Sequence, residues 1–173
     1  METGSIQPVD YVPDIVVLSK DEKIVLLVEV KSKKSQDWQN IEKSILPIKH
    51  YLQNRRNNSP YNLANEPFIL FVDLDKMIIW KWNIDKFSEP LIYLKTDDVL
   101  SNYDQEFSKL SNNNRISAFY LETLVEAWLR DLAHHWKSEK PPEWHKLQAI
   151  CLLQLIEEGT THSQVNLNDN ALR

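Results

Sequence analysis

Asp14, Glu29 and Lys31 sit inside two aliphatic runs, VPDIVVL at 12–18 and IVLLVEVK at 24–31. Charged side chains rarely enter such segments without a partner. The linking SKDEK is a polar turn, so the two runs make an antiparallel hairpin. With Leu18 facing Val25, Asp14 stands opposite Glu29. Lys31 shares the face of Glu29, because side chains alternate along a strand. Opposite residues have Cβ atoms about 5 Å apart, so the two carboxylates repel, and burial makes each ionised form costlier. A hard divalent cation offsets both costs: Mg²⁺ prefers oxygen ligands and keeps several waters. Asp14 and Glu29 would hold it, and the Val30 carbonyl would supply a further oxygen. Lys31 would orient a water or steady a phosphate. Such a trio permits attack of a metal-activated water on a phosphodiester.

The elements that must position these residues follow from the same kind of pattern. The runs 11–18 and 24–31 are apolar on both faces, as expected of strands covered on two sides. From Ser35, a plausible cap, Trp38, Ile41, Ile45, Ile48 and Leu52 recur at helical spacing, with Pro47 expected to kink or split the helix. NRRNNSPYNLANEP reads as a loop. FILFVD (68–73) and MIIWKW (77–82) read as a second strand pair, and LIYL (91–94) as a short edge strand. Beyond Asp97 the chain turns helical: Phe119, Leu121, Leu124, Val125, Trp128, Leu132 and Trp136 make one apolar face. Pro141 and Pro142 break it, and a last helix from about Glu143 to Glu158 stops at Gly159. The expected organisation is a core over 1–95, a helical region over 96–160 that packs on the core or a partner, and a flexible tail over 161–173.

Pro13-Asp14, followed after a hairpin by Glu29-Val30-Lys31, resembles the PD-(D/E)xK signature of the restriction-endonuclease-like nucleases. It is similar to small bacterial nuclease-like proteins and to the N-terminal domains of type I restriction subunits. The resemblance spans roughly residues 10–95. It implies an α/β fold with a mixed sheet core flanked by helices, here with a helical C-terminal extension. It implies catalytic residues Asp14, Glu29 and Lys31, Mg²⁺ (or Mn²⁺ in its place) as cofactor, and DNA as substrate. That family carries a helix before the hairpin, often with a further acidic residue facing the site. Here about ten residues precede the first strand, with Glu2 and Asp10 as the acidic candidates.

Composition narrows the alternatives. Only two glycines, Gly4 and Gly159, occur, which excludes glycine-rich phosphate loops. The one cysteine, Cys151, reads as a buried small hydrophobe and forms no internal disulfide, so a reducing cytoplasm is expected. No apolar run is long enough to span a bilayer. The formal charge is −5, yet from Lys31 to Arg56 seven basic residues stand against Asp37 and Glu42. Lys33, Lys34, Lys49, Arg55 and Arg56 could grip a phosphate backbone; a solvated helix face explains them equally well. Gln36, Gln39 and Gln53 are candidates for supporting contacts. Trp80 and Trp82 share a strand face and are expected to pack against a helix. His134 and His135 are adjacent and lack the spacing of metal ligands. The alternative to an enzyme is an inactive nuclease-fold module that binds nucleic acid or assembles, as a homodimer or with a partner subunit, through the C-terminal helices.

Overall fold

The structure is a computed structural model, and it describes residues 11–35, 37–54 and 62–167. Among the described residues it is a mixed α/β fold around one seven-stranded sheet. The hairpin β1 (Ile15–Leu18) and β2 (Lys23–Val30) leads into helix α1 (Trp38–Asn54). The chain then returns as β3 (Asn62–Val72), parallel to β2, and turns into β4 (Lys76–Asn83). The short strands β5 (Lys86–Phe87) and β6 (Ile92–Lys95) both pair with β4. Helices α2 (Thr96–Leu100), α3 (Phe107–Asn112), α4 (Ala118–His134), α5 (Trp144–Ala149) and α6 (Leu153–Ile156) follow. Strand β7 (Thr160–Ser163) closes the order, antiparallel to the outer edge of β1.

Two apolar layers hold the sheet. On one face Val16, Leu27, Ile69, Phe71, Ile78, Trp80 and Trp82 pack against Ile41, Ile45, Ile48 and Leu52 of α1. On the other, Ile15, Val17, Leu26, Val28, Leu70, Val72 and Ile79 meet Leu121, Leu124, Val125, Trp128 and Leu132 of α4. Strands sandwiched in this way must be apolar on both sides, which is why alternation is missing from their sequence. Each fully buried aliphatic side chain in these layers contributes about 1.5–3 kcal/mol.

Several expectations need correcting. The hairpin register holds for Ile15 opposite Val28 through Val17 opposite Leu26, but Leu18 pairs with Ile24, not Val25: a bulge absorbs one residue beside the turn. Helix α1 runs through Pro47 as one assigned element, and its first turn is capped by Asp37, whose Oδ1 accepts the Asn40 N–H at 2.9 Å, not by Ser35. Strand β3 starts inside the expected loop. Its pairing with β2 jumps from Leu63 to Phe68, and Pro67 occupies the irregular stretch where no ladder donor is needed.

The expected final helix is two short ones, broken where Cys151 takes a left-handed backbone (φ 64), and Cys151 is exposed. Phe119 and Trp136 are also exposed, at 79% and 55%, so neither belongs to the buried face of α4. The expected tail contributes β7, and the N–H of Leu167 donates to the Tyr11 carbonyl at 2.9 Å. Glu2, Asp10, Gln36, Arg55 and Arg56 lie outside the described residues. Among the described residues, no helix is long and apolar enough to cross a membrane.

Candidate active site

The candidate site lies where β1 begins and β2 ends. Asp14 directly precedes β1, and its N–H donates to the Val28 carbonyl at 3.2 Å, which carries the hairpin pairing one step past Ile15. Its Oδ2 accepts the Val30 N–H at 2.7 Å. The open end of the hairpin is therefore clamped by the same carboxylate that the sequence marks for chemistry. Val30 enters the site through this N–H.

Glu29 is 7% exposed. The Lys31 ammonium stands 3.8 Å from its Oε2, with the lysine side chain partly in solvent. Burial pushes the Glu29 carboxyl up to about 8, the Asp14 charge pushes in the same direction, and Lys31 opposes both. The Asp14 side chain thus stands close enough to act on Glu29 directly. The pair is a poor host for two negative charges on its own and a good one for two charges plus a cation.

A third carboxylate, invisible to sequence reasoning, comes from α4. Glu122 is half-buried, and its pKa is raised to about 6, by burial first and then by the Asp14 charge. Gln164, just after β7, donates its Nε2 to Glu122 Oε2 at 3.1 Å. The Gln164 N–H also donates to the Asp14 carbonyl at 3.2 Å. Asp14 is thus the shared neighbour of Glu29 on one side and Glu122 on the other. One turn on, Glu126 is ion-paired with Arg130. Tyr11 closes the other wall: its ring stacks on Tyr51 with centroids 5.0 Å apart, and it lies close enough to Glu29 and Asp14 for their charges to push its pKa upward, after burial.

All the donors gathered here are hard oxygens, the kind that suits Mg²⁺ or Mn²⁺ over softer metals. Among the described residues, no group of three or more His, Cys, Asp or Glu side chains is already drawn together around a metal position. The fit therefore rests on the Asp14–Glu29 pair, with water completing the shell.

The basic residues divide. Lys33 and Lys34 are exposed on the segment after Lys31, and this segment is tied to the end of β3 by the Leu74 N–H donating to the Lys33 carbonyl at 3.2 Å. Lys34 borders an open groove of about 570 Å³ that also holds Lys76 and Lys95. Lys49 stands elsewhere, on α1. There it lines a second groove, of about 400 Å³, with Trp38, Leu46 and Phe87. Gln39 and Gln53 are exposed on α1.

Asp73 is buried beside this region but already satisfied. It accepts the N–H groups of Ser35, Asp75 and Lys76 and pairs with the Lys76 ammonium at 3.4 Å, which fixes the chain after β2 against the β3–β4 turn. Its role is architectural. The role of His134 is also structural, since its Nε2 lies 2.8 Å from the Gly159 carbonyl. Compared with known proteins, the chain matches no family model, no curated protein and no solved structure.

Proposed function

We propose that this chain is a Mg²⁺-dependent nuclease of the PD-(D/E)xK kind, acting on DNA phosphodiesters. The observation that carries the reading is the meeting of Asp14 and Glu29 at one end of a buried hairpin, with Lys31 alongside. A cation bound there supplies Lewis acidity and an acidified water. Asp14 and Glu29 hold it, and the Val30 N–H fixes the direction of the Asp14 carboxylate. Lys31, reaching from solvent to Glu29, meets the negative charge that develops on the phosphate during attack. Lys33 and Lys34 extend positive charge from that point toward the open groove and suit a phosphate backbone.

The resemblance leads to an acidic helix placed before the hairpin. In this chain the helix beside Asp14 is α4, which lies between β6 and β7 in chain order, and Glu122 is its acidic contribution.

The test is cleavage of plasmid and linear DNA in Mg²⁺ or Mn²⁺. Glu29→Ala and Lys31→Ala should each lower the rate by a factor of about 100 or more, as removal of a charge-stabilising group does, with thermal unfolding little changed for Lys31→Ala. Native protein that cuts nothing across metals and substrates would overturn the enzymatic reading. It would favour the assembly module, for which the exposed aromatics Phe119 and Trp136 are the supporting observation.

A further inference from the structure

Tyr11 presents an unusual combination. The residue is 7% exposed, and its ring is locked against Tyr51. Its hydroxyl is buried and makes no hydrogen bond of good geometry among the described residues, although the Glu29 carboxylate is within reach. Its backbone is held as well, since its carbonyl accepts the Leu167 N–H. The ring therefore cannot swing its hydroxyl out to water without giving up its burial and its stacking on Tyr51. A buried hydroxyl left unpaired costs about 1–3 kcal/mol, and a phenylalanine would fill the same space without that cost. The hydroxyl lies beside Glu29 and Asp14, the two groups that the proposed site needs to aim at a cation.

We propose that Tyr11 is a positioning residue of this site: its hydroxyl donates to the Glu29 carboxylate when a divalent cation is bound, and holds that carboxylate turned toward the cation. The inference rests on the cation-site reading above. A carboxylate has two oxygens and about four acceptor directions. With one oxygen facing the cation, the other offers the acceptor that Tyr11 needs. The bond that satisfies the Tyr11 hydroxyl then forms only in the cation-bound state, so its gain should be seen in affinity for the ion. The neighbouring phenol Tyr51 supports the ring from the α1 side, so this alignment belongs to the folded core.

The experiment is calorimetric titration of the native chain and of Tyr11→Phe with MgCl₂ alone, paired with thermal unfolding of both proteins free of metal. The expected result is a Mg²⁺ affinity about tenfold weaker in Tyr11→Phe, the scale of losing a group that orients a metal ligand, with metal-free unfolding unchanged or shifted upward. A merely structural tyrosine gives a different pattern: unfolding shifts downward and affinity stays the same, which would overturn the assignment. So would a Tyr11→Phe protein that matches the native one in both measurements. If the native chain itself gives no Mg²⁺ heat, the cation site falls, and the role of Tyr11 falls with it; native binding with unchanged Tyr11→Phe binding removes only the role of Tyr11.

Discussion

At the scale of single residues, the chemistry turns on how much it costs to bury Glu29. An acid whose pKa is higher folded than unfolded keeps its proton in the fold at pH values where the unfolded chain has released it. Stability then falls as pH rises through that window, from the ordinary glutamate range up to about 8. The steepest slope is about 1.4 kcal/mol per pH unit for one proton. Glu122, raised to about 6, adds to the lower part of the same window. Asp131 works in the opposite direction. Burial alone would raise it, but hydrogen bonds from Tyr103, Lys137 and Ser138 outweigh burial and hold it below the usual carboxylate range. Its stabilisation is lost only in stronger acid. Metal-free protein should therefore melt at lower temperature at about pH 8 than at about pH 5.5. Glu29→Gln should flatten much of that decline and raise the melting temperature at the upper end of the window. A melting curve series that is flat for the native chain would show that the Glu29 proton is not held as the geometry demands.

Residues of this kind are only half legible in the sequence. Asp14, Glu29 and Lys31 stand out because each is a charge inside an aliphatic run, and the alternation of a strand says which side chains share a face. Glu122, Gln164 and Tyr11 carry no such mark. A glutamate on an amphipathic helix and a tyrosine at a strand edge are ordinary, and what makes them special is proximity between segments far apart in the chain. No local periodicity encodes that.

At the scale of elements, the site depends on a close approach between the end of the helical region and the hairpin. Gly159 sits against the backbone of Leu18, and a Cβ at this position would collide with the Leu18 carbonyl oxygen. The neighbour is main chain inside a ladder, so it cannot step aside cheaply. Gly159 is thus required by proximity, not by its backbone angles, and it sets β7 against β1. Gly159→Ala should destabilise by about 1–3 kcal/mol, the range for overpacking in a close-packed region. Denaturant unfolding measures this directly; an unchanged midpoint would mean that β7 lies farther from β1 than described. Sequence pattern points to Gly159 as a stop signal for a helix, which is the right place for a different reason. Composition also makes the start of β3 look like a loop, because two Asn and a Pro fall within its first six residues, whereas the irregular pairing beside Pro67 lets a strand pass through.

At the scale of the whole molecule, the segments around the site come from opposite ends of the chain. The segment after Gly159 supplies β7, donates Gln164 to Glu122 and to the Asp14 backbone, and ties Leu167 to Tyr11. Its polar sequence, Thr-Thr-His-Ser, hides this role, since an edge strand needs only backbone pairing on one side. Removal of residues 160–173 should therefore do more than trim a surface. At about 0.5–1.5 kcal/mol for each net hydrogen bond, the loss should reach about 2–4 kcal/mol. Mg²⁺ affinity should fall with it. A truncated protein that melts and binds like the full chain would show that the site is complete within the hairpin alone.

The proposed function stands on a buried Glu29 and a half-buried Asp14 holding a hard cation at the mouth of one β-ribbon. Titration calorimetry of the native chain with Mg²⁺ at about pH 7.5, beside Asp14→Asn, tests it most directly. The expected result is saturable binding accompanied by proton release in the native protein, because the proton that burial holds on Glu29 must leave, and at least about tenfold weaker binding in Asp14→Asn. Equal binding by the two proteins, or native binding with no proton released, would contradict it.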